Sequence, residues 1–435
     1  MTELNNKTEV IVVGGGPAGI AAAITIARNG KKVVLIERGK FSGSKNVFGG
    51  AIYTQPTKEI FPDFEKSAPL ERRNVEHKYA ILSQDDATVV SYRDKKSEAY
   101  GSYTVIRAKF DRWMAEQAKK EGVYIVEETV VRELITDNGK VTGVKTELED
   151  YYADIVILAD GVNSLLAKSI GLRKDIECKD VALSVKEVFK LDREKINDRF
   201  NIADDEGCIY EIFGGSMLGK LGLGFMYTNK DSVSIGLGVT LDDLTAGKVK
   251  PYELLDELKA HPAIAPLIKG GELLEYSAHL IPEGGYKKMP QLYSDGVMVT
   301  GDAAMLVNNL HWEGTNLAMI SGKLAGETAL IALKQNDFSA SMLSRYQKKL
   351  ENSFVLKDLK TYKELMDVMH SRKSSFLKYY LEKINAFFKM FTSVDSIPKR
   401  KKYLDFIKTI FSDRKISELF KDAGSVIKLL WSILK

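Results

Sequence analysis

Residues 10–37 read VIVVGGGPAGIAAAITIARNGKKVVLIE. The pattern predicts a strand over Val10–Val13, the turn Gly14-x-Gly16-x-x-Gly19, an alanine-rich helix to Asn29, and a second strand ending at Glu37. Ala23 and Ala27 fall at helical spacing and Gly30 stops the helix. Gly14 is expected to make the tight turn, Gly16 to let the main chain approach a pyrophosphate, and Gly19 to let the helix pack close to the strand. A helix N-terminus presents unpaired N–H groups and partial positive charge to phosphates. Glu37 is placed to accept hydrogen bonds from ribose hydroxyls. A strand–helix–strand unit that binds nothing has no need of clustered glycines, each of which weakens regular structure.

Two later segments choose the dinucleotide. Residues 153–164, ADIVILADGVNS, run an apolar strand into Ala159-Asp160-Gly161, and residues 295–302, DGVMVTGD, run another into Gly301-Asp302. Ligands sit beyond the carboxyl ends of strands in α/β sheets, and an Asp there reaches the ribityl hydroxyls of a flavin. Each pair alone is also an ordinary turn; in this order, after the first motif, they point to FAD. No second strand–GxGxxG–helix unit occurs, which argues against a separate NAD(P)H domain.

A chain of 435 residues calls for two or three compact units rather than one core. With 44% hydrophobic and 28% charged residues it has the composition of a globular protein. The formal charge is +4, yet Ser371–Lys435 carries 15 Lys/Arg against 6 Asp/Glu, so the positive charge belongs to the tail. Such a tail suits anionic lipid or an acidic protein surface. No nucleic-acid motif accompanies it, and no nucleic-acid partner is expected. Cys178 and Cys208 are too few for the four thiolates of an ordinary iron–sulfur cluster. They offer no disulfide framework, which fits a reducing, intracellular setting, and no metal site is expected. No signal peptide is expected, and the longest uncharged segment, Val10–Ala27, is the glycine motif itself rather than a membrane span.

Residues 301–319, GDAAMLVNNLHWEGTNLAM, place His311, Trp312 and Glu313 before a helix that starts near Gly314, Thr315 and Asn316. Ser321, Gly322, Ala325 and Gly326 give that helix a small-residue face, expected to lie against the FAD sheet. Its N-terminus is expected to point at the flavin edge where negative charge accumulates on reduction. The trio has no nearby nucleophile, so it is read as flavin-pocket lining and not as a hydrolytic triad. Lys45-Asn46 with Gly49-Gly50 forms a polar, side-chain-poor loop able to approach a flavin ring, where Lys45 would favour the reduced anion. The flavin carries the hard chemistry, and no residue is expected to be catalytic in the covalent sense.

Gly14-x-Gly16-x-x-Gly19 with Glu37, the run Ser44–Ala51, Ala159–Ser164, Gly224–Asp231 and Gly301–Ala304 resemble the FixC proteins. These are relatives of electron-transfer-flavoprotein:quinone oxidoreductase, in the wider group of geranylgeranyl reductases and aromatic hydroxylases. The resemblance covers about residues 8–360. It implies a membrane-associated flavoprotein that accepts electrons from the two subunits of an electron-transfer flavoprotein (FixA/FixB-like) and passes them to quinone. Single-chain members carry a four-cysteine cluster domain that is missing from this sequence, and FixC proteins pair instead with a small ferredoxin-like subunit, FixX. Such a partner is expected here. The resemblance also assigns Arg107, at the head of VIRAKFDRWMAEQA, to FAD. Pro17, Ala18, Arg38 and Val131 complete the candidate cofactor contacts.

The runs VALSVKEVFKL, GCIYEIF, LGLGFMYTN and SVSIGLGVTL predict a sheet over the flavin's other side. Between them FGGSMLGKLGLGF (residues 213–225) reads as a buried hairpin or as a loop dipping into lipid. In FLKYYLEKINAFFKMF (residues 376–391), Leu377, Tyr380, Leu381, Ile384, Phe388 and Phe391 share one helical face, and Lys378, Glu382, Asn385 and Lys389 share the other. With Pro398–Lys402 and two further amphipathic runs, this region suits either a membrane interface or partner helices. The expected fold is α/β: a Rossmann-like FAD domain of the glutathione reductase type 2, hydroxylase-like kind, interleaved with a mixed β-sheet substrate domain, plus C-terminal helices. The expected division is 1–75 with 100–175 and 290–335 for FAD, 76–99 with 176–289 for quinone or substrate, and 336–435 for the helical region. Peripheral, monotopic attachment to the inner face of the cell membrane follows. Rival readings are a geranylgeranyl reductase-like lipid reductase, an NAD(P)H-dependent FAD monooxygenase, and a scaffold that holds FAD only structurally. Tyr210–Gly214 lacks the Trp and Pro of the aromatic strand typical of the first rival.

Overall fold

The computed structural model describes residues 7–45, 50–94 and 101–434. Its first sheet has eight described strands. The main path runs Tyr293–Ser294, Val297–Val299, Asp150–Leu158, Lys7–Val13, Val33–Ile36 and Tyr124–Val126. The four central pairings are parallel, and the register sets Val13 level with both Leu158 and Ile36, and Leu158 level with Val299. Strands buried on both faces need the continuous Val/Ile/Leu runs found here. Because the strands end level, the segments after them converge on one edge of the sheet. Gly14, Glu37, Ala159-Asp160 and Gly301-Asp302 therefore meet although they are far apart in sequence.

Helix Pro17–Ala27 covers one face of this sheet, and helix Thr315–Gln335 lies across it. A Cβ on Gly322 would come within 2.0 Å of the Ala18 carbonyl oxygen, and one on Gly326 within 2.8 Å of the Ala22 oxygen. The small-residue face therefore packs backbone to backbone on the first helix. The expectation that it lies on the sheet is corrected: close helix crossing, not sheet contact, explains the glycines. Helix Arg107–Lys120 buries Phe110, Met114 and Ala118, with Trp113 packed partly against the same core. Tyr346, Leu350, Val355 and Leu359 also belong to that core, so the first helices beyond residue 336 are part of the dinucleotide-binding body.

The second sheet has nine described strands. It runs Glu272–Pro282, Val181–Lys190, Ser232–Thr240, Gly222–Thr228, Glu206–Gly214, Leu70–Leu82, Ser102–Val105 and Ala51–Tyr53, with Ala87–Arg93 paired beside Leu70–Leu82. Strand pairing thus carries Ala51–Tyr53 and Ser102–Val105 into this sheet, and the sheet boundary falls inside segments 1–75 and 100–175. Its side chains alternate with period two. Ile209, Glu211, Phe213, Leu223, Phe225 and Tyr227 face the first sheet, while Tyr210, Ile212 and Met226 join a separate core with Leu254, Leu255 and Leu258 of helix Pro251–Ala260.

The segment 213–225 is a connection between two strands. Met217 is buried, and the Gly219 N–H donates to the Leu377 carbonyl at 2.8 Å. Its tip is packed on the chain's own C-terminal region, the hairpin alternative rather than a free lipid loop. In helix Tyr380–Thr392 the buried residues are Leu381 and Asn385, while Phe388 and Phe391 are exposed. This corrects the expected facing. Asn385 Nδ2 donates to the Ile81 carbonyl at 3.0 Å, and its Oδ1 accepts from Thr88 Oγ1 at 2.6 Å. A hairpin edge wants polar partners, and the asparagine supplies them.

Candidate functional site

A cavity of about 630 Å³ lies between the two sheets, within the range of ordinary ligand sites. At one end it is built from the strand ends. Gly14 has φ +108°, and a Cβ there would stand 2.2 Å from the Ala159 carbonyl oxygen. The turn requires glycine on both counts. Gly19 is needed for a different contact: its Cβ would meet the Gly14 carbonyl at 1.9 Å. Gly16 caps helix Pro17–Ala27 without a side chain, so the helix opens directly onto the cavity with Pro17 at its first position. Glu37 accepts from the Gly15 N–H at 2.7 Å and from the Gly39 N–H at 2.6 Å. A carboxylate has about four acceptor positions, so Glu37 is pinned with capacity left for a ligand hydroxyl.

Further along, Arg107 donates through Nε and Nη2 to both oxygens of Asp111, at 2.8 and 2.9 Å, and through Nη1 to Thr315 Oγ1 at 3.3 Å. The fork ties the start of helix Arg107–Lys120 to the start of helix Thr315–Gln335. Beside it, burial raises the Asp302 carboxyl to about 6 against the pull of Arg107. Burial likewise raises Asp160 to about 6, opposed by hydrogen bonding and by Arg173. Asp160 Oδ1 is buried with no hydrogen-bond partner among the described residues. A buried acceptor without a donor costs about 1–3 kcal/mol, which is the position of a group waiting for a ligand hydroxyl.

Most of the residues singled out in the sequence line this cavity: Gly14, Gly16, Pro17, Ala18, Glu37 and Arg38 near the first turn; Lys45, Arg107, Val131, Ala159, Asp160 and Gly161 beyond it; and Asp302, His311, Trp312, Gly314 and Thr315 on the opposite side. Four sit just behind the wall. Gly19 packs under Gly14, Gly301 (φ +64°) against Ala18, and Gly50 against the Tyr227 ring; Asn316 donates to Glu313 Oε2 at 3.2 Å. Asn46 and Gly49 lie outside the described residues. The turn between Asn308 and Glu313 is closed by reciprocal backbone hydrogen bonds of 2.9 and 3.2 Å. Within it Trp312 adopts φ +52° and meets the Phe213 ring at 5.6 Å, while His311 Nε2 lies 3.2 Å from Tyr362 OH.

The sequence reading missed four polar groups that line the cavity. His77 Nδ1 stands 3.7 Å from Glu211 Oε1. His279 faces the cavity with its basicity lowered by burial and by Arg107 and Arg38. Glu283 follows the last strand of the second sheet, and burial raises its carboxyl to about 7, opposed by a hydrogen bond from Asn309. A carboxylate at the end of a strand and before Gly284-Gly285 resembles the Asp160-Gly161 pair, although the strand Glu272–Pro282 is mixed in polarity rather than apolar. The far end of the cavity is apolar, with Leu221, Leu223, Leu365, Met366, Met369 and Leu377.

The glycine cradle, the pinned Glu37 and the unpaired Asp160 oxygen fit FAD, and the fold and site define a FAD-dependent oxidoreductase. Family comparison agrees. A model described as FAD dependent oxidoreductase matches residues 9–169, one described as ETF-QO, ubiquinone-binding matches 181–281, and one described as ETF-QO/FixC family C-terminal domain matches 365–430. The chain belongs to the FixC family. It is 43% identical over 426 residues to Protein FixC of Bradyrhizobium diazoefficiens, covering 97% of this chain and 98% of that one. It is 41% identical over 371 residues to the probable electron transfer flavoprotein-quinone oxidoreductase YdiS of Escherichia coli, covering 84% and 86%. Among solved structures, a geranylgeranyl bacteriochlorophyll reductase-like protein from Thermoplasma acidophilum superposes with TM-score 0.73 at 23% identity, covering 96% of this chain and 98% of that one. The myxobacterial halogenase CndH superposes with TM-score 0.66 at 16% identity, covering 98% and 97%. At these identities the likeness is one of fold.

Proposed function

We propose that this FAD-dependent oxidoreductase takes electrons from an electron-transfer flavoprotein and delivers them to a membrane quinone, together with a FixX-like ferredoxin subunit that carries an iron–sulfur cluster. The observation that carries the reading is the change of character along one cavity. One end is a polar dinucleotide cradle; the other is walled by leucines and methionines from the ubiquinone-binding and C-terminal segments. FAD, when bound, supplies two-electron redox chemistry.

The chain's own groups divide the remaining work. The open N-terminus of helix Pro17–Ala27 and the Gly14 turn hold the pyrophosphate. Glu37 takes ribose hydroxyls, Asp160 and Asp302 take hydroxyls of the flavin chain, and Arg107 holds Thr315 and Asp111 in place around them. The start of helix Thr315–Gln335 favours negative charge beside it, by about 0.3–1 kcal/mol at an exposed end. The apolar end excludes water from a lipid-like acceptor. The two cysteines support a separate cluster subunit, since Cys208 is buried in the second sheet and Cys178 is exposed.

Attachment to the inner face of the membrane is part of the same reading. No helix among the described residues is long and apolar enough to cross a membrane. Phe388, Phe391, Phe411, Phe420 and Trp431 are exposed on the C-terminal helices beside Lys399, Arg400 and Lys401, as suits an interfacial site. Affinity capture in mild detergent tests the partners: both electron-transfer-flavoprotein subunits and a small ferredoxin are expected, and recovery of none of them contradicts the assembly.

A further inference from the structure

Three carboxyl groups with raised proton affinity line the cavity, and they are not equivalent. Asp302 faces Arg107 and Asp160 faces Arg173. Glu283 has neither; its side chain is held by the Asn309 amide, which donates to Oε2. Its backbone N–H is fixed on the Asp180 carbonyl at 2.8 Å. Charges on the surrounding elements are engaged elsewhere. Asp180 pairs with Lys288 at 3.0 Å, Lys287 with Glu364 and Asp367 at 2.8 and 2.7 Å, and Glu313 accepts from Asn316. His311 is turned to Tyr362, and His279 lies towards Arg107 and Arg38.

Position separates Glu283 further. A Cβ on the next-but-one residue, Gly285, would touch Met366 Cγ at 3.9 Å and Asn309 Oδ1 at 4.0 Å. Met366 belongs to the apolar end, so the Glu283–Asn309 pair sits where that end begins. Behind Asn309 is a second cavity of about 10 Å³ lined by Tyr286, Asn308, Tyr362 and the exposed Lys363. That is about the room one water needs. Asn309 lines both cavities.

We infer that Glu283 is the proton donor to the acceptor bound at the apolar end, recharged from solvent past Asn309 through the small cavity at Tyr362. The inference rests on the quinone reading above. Reducing a quinone to a quinol takes two electrons, supplied by the flavin chemistry of this oxidoreductase, and two protons. One new O–H bond forms at a quinone oxygen as the Glu283 O–H bond breaks; the carboxylate then regains a proton from water. The second proton comes from solvent by the same path. A raised proton affinity keeps Glu283 half-charged near neutral pH, where a donor of this kind works best.

The test compares the parent flavoprotein with E283Q and N309A. Reoxidation of the reduced protein by a short-chain quinone analogue is followed across pH. Infrared spectra of the same proteins, without quinone, are followed through the same range. The parent is expected to lose rate as pH rises through about 7 and to lose a protonated-carboxyl absorption over the same interval. E283Q, retaining flavin, should lose that absorption and that pH limb, with kcat reduced about 10²-fold and KM little changed. N309A should move both to higher pH, because the lost amide had favoured the charged form. An E283Q protein with the parent's pH limb and rate overturns the inference while leaving the quinone reading intact. A parent that no quinone reoxidises at any pH overturns both.

Discussion

Single residues decide whether the cofactor end forms at all. Gly14 combines a left-handed φ with a carbonyl 2.2 Å from where a Cβ would go. Gly14→Ala is therefore expected to cost about 1–3 kcal/mol of local strain, lowering FAD affinity roughly 10- to 100-fold; flavin absorbance retained after gel filtration measures it. Asp160 and Asp302 make a pH prediction. Both carboxyls are raised to about 6 from an ordinary 3.8 by burial. Between those values the folded apoprotein holds protons that the unfolded chain has released, so the stability they contribute is full below about pH 4 and falls as pH rises through 6. Thermal unfolding of flavin-free protein should show this loss, and D160N with D302N should reduce it, leaving the part that Glu283 contributes as pH rises through about 7. These residues were legible in the sequence because glycine geometry and strand-end aspartates are local signals. The His77–Glu211 pair was harder. His77 meets Glu211 only because strand Leu70–Leu82 pairs in parallel with strand Glu206–Gly214, which sets His77 opposite Ile209. Nothing within either segment announces that register.

Among the elements, the parallel strands and the helices at 17, 107 and 315 follow from hydrophobic runs and their glycine punctuation, and they stand where the sequence places them. The C-terminal helices follow a different logic. Periodicity put Asn385 on the face opposite the apolar stripe, because a helical wheel counts polarity and cannot know that a hairpin edge offers carbonyls to an amide. Helix Ile416–Leu434 is likewise fastened by charge. Asp422 is buried, 2.9 Å from Arg414 and 3.7 Å from Arg372, and accepts from Tyr380 OH at 3.1 Å. Removing one partner of such a cluster typically costs about 3–5 kcal/mol. D422A is expected to release the last helix, seen as faster proteolysis and faster amide exchange beyond residue 414, with the flavin absorbance unchanged. Even the basic run is partly structural, since Lys402 is buried and pairs with Asp395 at 2.7 Å.

At the scale of the whole molecule, the two-sheet body places a polar cradle and an apolar chamber in one cavity, and the C-terminal helices add exposed aromatics and positive charge to its surface. Binding to vesicles containing anionic lipid is therefore expected. It should weaken as salt rises, because surface attraction is screened within about 8–10 Å at physiological ionic strength, and weaken further when Phe420 and Trp431 are replaced by Ser. Co-sedimentation with neutral and anionic vesicles measures both effects. The central claim, that this cavity relays electrons to quinone, is tested most directly by anaerobic absorbance spectroscopy of the purified protein. Dithionite should bleach a bound flavin, a short-chain ubiquinone or menaquinone analogue should restore its colour rapidly, and NAD(P)H alone should bleach nothing. Bleaching by NADPH without another protein, or a reduced flavin that no quinone reoxidises, would contradict it.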